Sequence, residues 1–111
     1  MAAADWRVVE IAGSSVGDSS PATLRFESNR HVSGSTGCNQ FTGTASIAAE
    51  KLSFGPLATT RRACEADRMA EEQSFLKALE SVRSFSIDEG GYLRLLGADG
   101  NPLLRLTRTN P

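Results

Sequence analysis

No stretch of this 111-residue chain approaches the roughly 20 consecutive apolar residues that a helix needs to cross a bilayer. Its opening, Met1-Ala2-Ala3-Ala4-Asp5, lacks the basic-then-apolar order of an export signal. Neither sign of charge dominates: 12 basic residues stand against 13 acidic ones, spread along the chain, for a formal net charge of -1. No long-range field gathers phosphate backbones or anionic lipid, so nucleic acid is not an expected partner and the chain reads as a water-soluble monomer. Internal repeats, low-complexity tracts and interdomain linkers are missing too. The length suits one core and is too short for two. The expected division is therefore residues 1–4 as an expression remnant or linker, standing where an export signal was removed, and residues 5–111 as a single domain.

Reactive side chains are scarce as well. His31 is the only histidine, and Cys38 and Cys64 are the only cysteines. A nucleophilic thiol needs a base and an electropositive setting. Arg61 and Arg62 lie close before Cys64, so a thiol enzyme or redox protein is a rival reading, but His31 would have to serve as the base. Cys38, Cys64 and His31 have the ligand types of a zinc site, yet they are too few and none has the paired spacing such sites use. No metal or other cofactor is expected. The carboxylates Glu65, Asp67, Glu71 and Glu72 gather where a helix should begin and complement the positive end of its dipole. On an exposed turn they lack the apolar enclosure that would split their pKa values for acid/base work, so no catalytic residue is assigned and the chain reads as non-enzymatic. An even cysteine count fits one disulfide in an oxidising compartment, and it fits two buried thiols in a cytosolic protein equally well. If the pair is oxidised, loop closure contributes about 3.5 kcal/mol on chain-entropy grounds.

What the chain does have is alternation. Trp6 to Ile11 is rich in β-formers, and Gly13 to Pro21 is a turn-forming stretch. Leu24 and Phe26 then alternate with Thr23, Arg25 and Glu27. Asn29 ends that strand, His31 to Gly34 forms the next, and Gly34 and Gly37 permit a tight corner. Phe41 to Ile47 and Lys51 to Phe54 are strands joined by a turn at Ala49-Glu50. From Asp67 to Val82 the period lengthens to about 3.6, with Met69, Phe75, Leu76, Leu79 and Val82 on one face and Glu71, Glu72, Lys77, Glu80 and Arg83 mostly on the other. The last third is a meander. Phe85 and Ile87, then Leu93 and Leu95, then Leu104 and Leu106 point inward, with turns at Glu89-Gly90-Gly91 and Asp99-Gly100. The count predicts a mainly β fold: a small antiparallel barrel-like domain of about eight short strands with one helix inserted after the fifth. Alternation alone does not separate that from a sandwich.

Two local motifs carry more. Gly37-Cys38-Asn39-Gln40-Phe41-Thr42-Gly43 and Thr59-Thr60-Arg61-Arg62-Ala63-Cys64 read G-C-N-x-F-x-G and T-x-x-A-C, and together they resemble the META/HslJ-like domain over Trp6 to Arg108. Asn39 suits a corner with polar backbone to satisfy, Phe41 suits the core, and Gly43 marks a close backbone approach. Where that family often carries an aromatic two residues after this glycine, the chain has Ala45, and Arg62 stands where it often has an apolar residue. The resemblance implies a barrel-like fold with a packed helix, a structural disulfide between Cys38 and Cys64, and an exported or lipid-anchored location in the bacterial envelope or secreted space. It also implies association with heat shock or antibiotic stress, with a protein or small-molecule partner it does not name. The candidate interaction surface is where the motifs converge, around Asn39, Thr60, Arg61 and Arg62. A carrier that holds an apolar ligand inside the barrel is the other rival reading, although Leu and Phe side chains would mostly fill so small an interior.

Overall fold

In the computed structural model the described residues are 4–15, 22–27 and 30–109. Among them the chain forms β1 (Ala4–Ile11), β2 (Ser14–Ser15), β3 (Thr23–Phe26), β4 (His31–Ser35), β5 (Gln40–Ala48), β6 (Lys51–Phe54), β7 (Ala58–Thr59), helix α1 (Ala66–Ser81), β8 (Ser84–Ile87), β9 (Leu93–Leu96) and β10 (Pro102–Arg108). Every strand pairing is antiparallel. The order β10-β9-β8-β6-β5-β4-β3-β1 returns on itself through a β1–β10 pairing, so eight strands close into a ring. Two-residue β2 and β7 lie beside it, on β1 and β5. Five ring strands precede α1, as the alternation predicts. Ring closure leaves few backbone groups on an open edge.

Side-chain parity sets what fills the ring. Leu24 and Phe26, Val32, Phe41, Leu93 and Leu95, and Leu104 and Leu106 are all buried; on β8 the expected inward pair fails, with Phe85 half-buried and Ile87, the last residue of the strand, 56% exposed. On β1 the buried positions are Trp6, Val8 and Ile11, a spacing that breaks strict alternation. The β1–β10 register shifts between Val8 and Glu10, and this bulge returns Ile11 to the inner face. Helix α1 packs on β10, β6 and β1 and sends Phe75, Ala78 and Leu79 into the same core. The Phe41 and Phe75 rings meet edge-on with centroids 5.6 Å apart, tying β5 to the helix. Among the described residues one buried side-chain polar atom, Trp6 Nε1, has no hydrogen-bond partner.

Turn residues behave as their chemistry requires. Gly91 and Gly100 adopt positive φ at the two turns of the meander, and Ala49 does so without glycine's freedom. Gly43 lies under the connection after β6, where an added Cβ would come within 2.9 Å of the Pro56 carbonyl oxygen.

The helix corrects two expectations. Met69, placed on the apolar face by periodicity, is 39% exposed, and Glu72, placed on the outer face, is half-buried. The inward stripe runs through Arg68, Glu72, Phe75 and Leu79, because the helix leans on a polar corner at its start and meets the apolar core only in its second half. Ala4, assigned to a terminal remnant, pairs with Phe26 as the first residue of β1. The rest of that remnant, the Asn29 break and most of the stretch from Gly13 to Pro21 fall outside the described residues.

Candidate functional site

The first motif is a closed corner between β4 and β5. The Thr36 hydroxyl oxygen accepts from the Cys38 and Asn39 amides at 3.2 and 2.8 Å, while the Thr36 amide donates to the Asn39 carbonyl at 2.8 Å. Gly37, at φ 92°, supplies the reversal. Thr36 and Asn39 are 3% and 4% exposed, the only buried polar or charged residues among those described. Buried amides and hydroxyls require partners.

Asn39 finds its partners in the second motif and in the helix. Its Oδ1 accepts from the Thr60 hydroxyl at 2.9 Å and the Arg62 amide at 2.7 Å. Its Nδ2 donates to Glu72 Oε1 at 2.9 Å and to the Arg62 carbonyl at 3.3 Å. Glu72 Oε1 also accepts from the Thr36 hydroxyl at 3.0 Å, and the Arg68 guanidinium donates to the Gly37 carbonyl at 3.2 Å. The Thr60 hydroxyl oxygen accepts from the Gln40 amide at 3.0 Å. A disulfide joins Cys38 and Cys64 with their Cα atoms 6.1 Å apart. An irregular segment from Thr60 to Glu65 is thus fixed by one covalent bond, by hydrogen bonds to the Asn39 side chain, and by the Gln40 backbone, whose carbonyl accepts from the Thr60 amide at 3.0 Å.

The four residues singled out from sequence come together. Asn39, Thr60, Arg61 and Arg62 line one cleft of about 390 Å³ whose opposite wall is the side of α1 carrying Met69, Gln73 and Leu76. Their roles differ. Asn39 is buried and its amide is fully engaged within the chain, so it supports the cleft from below; the Thr60 hydroxyl is engaged likewise. The Arg61 and Arg62 side chains are exposed, and among the described residues neither guanidinium has a hydrogen bond or ion pair. With both sulfurs in the disulfide, neither Cys38 nor Cys64 offers a thiolate to a substrate or a metal. His31 is exposed at the start of β4, facing Thr44 across the strand pair and lining a pocket that includes neither cysteine. The described residues hold no cluster of three or more His, Cys, Asp or Glu side chains with metal-site geometry.

Sequence reasoning passed over Thr36, Arg68 and Glu72. Thr36 directly precedes the first motif and carried a weak signal as a hydroxyl residue at a corner. Glu72 carried a misleading one, since helical periodicity places it among solvent-facing charges and its partners lie 33 and 36 residues away.

The sequence matches the family model of the META domain over residues 1–110. Two solved structures share the fold. An NMR structure of a protein from Burkholderia xenovorans superposes with a TM-score of 0.76 at 26% identity, covering 97% of this chain and 83% of that one. A second NMR structure superposes at 0.71 with 23% identity, covering 94% of this chain and 87% of that one. Comparison with curated proteins gives no match.

Proposed function

The chain belongs to the META domain family, and from that premise we propose that it is a non-enzymatic, stress-associated binding module of the bacterial envelope or secreted space, with the cleft between residues 59–63 and α1 as its ligand surface. The observation that carries the reading is the pairing of a fixed floor with free side chains. Asn39, Thr36, Glu72 and the disulfide immobilise the wall, while Arg61, Arg62, Gln73 and Met69 remain exposed above it. Preorganised backbone lowers the entropy cost of binding, and polar groups already engaged within the chain do not compete for the ligand. A disulfide suits an oxidising compartment. Against the carrier reading, the ring interior is occupied by its own Phe and Leu side chains. Against the thiol-enzyme reading, both sulfurs are joined.

The test is a map of backbone amide shifts of ¹⁵N-labelled protein against a panel of short peptides, fatty acids and sugars. Shifts should concentrate in residues 38–40, 59–63 and 69–76 for at least one compound. Shifts confined to the ring interior would transfer the reading to the carrier, and a panel that moves nothing in the cleft would remove it. Intact-mass analysis of natively isolated protein should show the pair oxidised; two free thiols there would overturn the compartment assignment.

A further inference from the structure

Resting on the cleft as the ligand surface, we infer that its occupant is a polypeptide segment that carries an acidic side chain beside an apolar one. Three observations converge on that chemistry. The wall at Arg61 and Arg62 presents two guanidiniums without partners among the described residues, and guanidinium groups pair with carboxylates in a forked, directional geometry. The helix wall presents two apolar side chains, Met69, 39% exposed, and half-buried Leu76, one on either side of Gln73. Methionine adapts its shape to varied apolar partners. Third, most of the lining side chains are exposed, so the cleft is an open groove that a passing chain can cover and a small ligand cannot fill enough of to be enclosed.

Charge fixes the orientation. The charged groups lining the cleft are Arg61, Arg62 and Glu72, which sum to +1. Glu72 stands among its bonds to Asn39 and Thr36, so the positive side is the 59–63 wall and an acidic group seats there, away from the carboxylate. Gln73 beside Glu72 offers an amide for the backbone of a bound peptide. A basic peptide would bring its cations against the two arginines, and the same geometry repels it.

Fluorescence anisotropy with a fluorescein-labelled hexapeptide alternating leucine and aspartate tests this, with a leucine/lysine peptide and a serine/aspartate peptide as the other arms. The aspartate/leucine peptide should bind the full chain at least about tenfold more tightly than either, and added salt should weaken it. The Arg61→Ala/Arg62→Ala variant should lose at least about tenfold of that affinity with an unchanged melting temperature, and Met69→Asp should lose a comparable factor. Equal binding of the acidic and basic peptides, or full affinity in the double arginine variant, would overturn the assignment. If none of the three peptides binds while another panel compound shifts the cleft amides, the ligand class falls and the ligand surface stands. If no compound shifts them, both fall.

Discussion

At the scale of single residues, one amide does the work of a small network. A carboxamide can donate twice and accept twice, and Asn39 uses both sides within the chain. Asn39→Ala would take a partner from the Thr60 hydroxyl, the Arg62 amide and the Glu72 carboxylate at a part-buried corner, so urea denaturation should show a loss of roughly 1–3 kcal/mol. Asn39→Asp keeps the shape and the Oδ1 acceptor but sets a second carboxylate against Glu72 Oε1, where Nδ2 now lies at 2.9 Å. Its loss should be larger at neutral pH and shrink as acid neutralises one of the two; a loss independent of pH would show that charge is not what the asparagine avoids. Gly34 poses a steric problem. A Cβ there would strike the Thr23 carbonyl and lie 2.8 Å from the Phe41 ring, so Gly34→Ala should cost at least about 2 kcal/mol, read from the same denaturation curves. Asn39 and Gly43 were legible because their chemistry is local to a turn or a close approach. Glu72 was not, because the reason for its burial is an asparagine on another element.

At the scale of elements, the second motif has little regular structure of its own beyond β7, and its position depends on its anchors. The disulfide spans 26 residues, and closing a loop of that length stabilises the folded state by about 3.5 kcal/mol. A Cys38→Ala/Cys64→Ala variant should lose about that much, and hydrogen exchange should quicken at residues 60–64 before it quickens in the ring. Uniform acceleration would mean that the bridge stabilises the whole fold without specifically fixing the cleft wall. A second anchor joins the meander to β1. Arg105 of β10 bonds Glu10 at 3.2 Å and Asp88 at 3.3 Å, and its guanidinium lies 4.1 Å from the centre of the Tyr92 ring. Partial desolvation pushes the Asp88 carboxyl up, but the Tyr92 and Gly90 amides together with Arg105 outweigh it and hold its pKa below the usual carboxylate value. A group depressed in the folded state stabilises above its unfolded pKa, and that contribution fades as pH falls through the folded one. Asp88→Asn should therefore narrow the stability gap to the parent protein on the acid side, below the ordinary Asp value, while leaving it constant from mild acid upward; a gap unchanged into strong acid would show that neither the turn amides nor Arg105 favours the charged form of Asp88 in the folded state. The strands of this meander were legible from alternation and Gly turns. The helix was legible in extent but not in orientation, because its first half meets a polar corner that no apolar stripe announces.

At the scale of the whole molecule, closure depends on pairings of very unequal reach. β1 and β10 pair over much of their length although they stand at opposite ends of the sequence, whereas β6 and β8 share one register pair, Lys51 with Ser84, flanked by two backbone hydrogen bonds. Alternation reported most of the side chains that face inward, Ile87 excepted, and was silent on which strands meet, so eight strands could be counted while ring and sandwich remained indistinguishable. The distinction lies in that end-to-end pairing, and it can be tested through the kinetics. The Thr109 amide donates to the Asp5 carbonyl at 3.1 Å, so the described ends of the chain are adjacent. Joining residue 109 to residue 4 through a short glycine linker and opening the chain at Asp99-Gly100 turns the β1–β10 pair into a local hairpin and makes β9–β10 the long-range one. The ring predicts that this permutant folds, because each strand keeps both neighbours. Loop-closure cost moves from the extensive β1–β10 pairing to the shorter β9–β10 one, and the mean sequence separation of contacts falls. Stopped-flow refolding should accordingly be faster than in the parent chain, with amide protection in β1 and β10 retained. Slower refolding with that protection lost would mean that the end-to-end pairing is a late, dispensable contact on an open sheet.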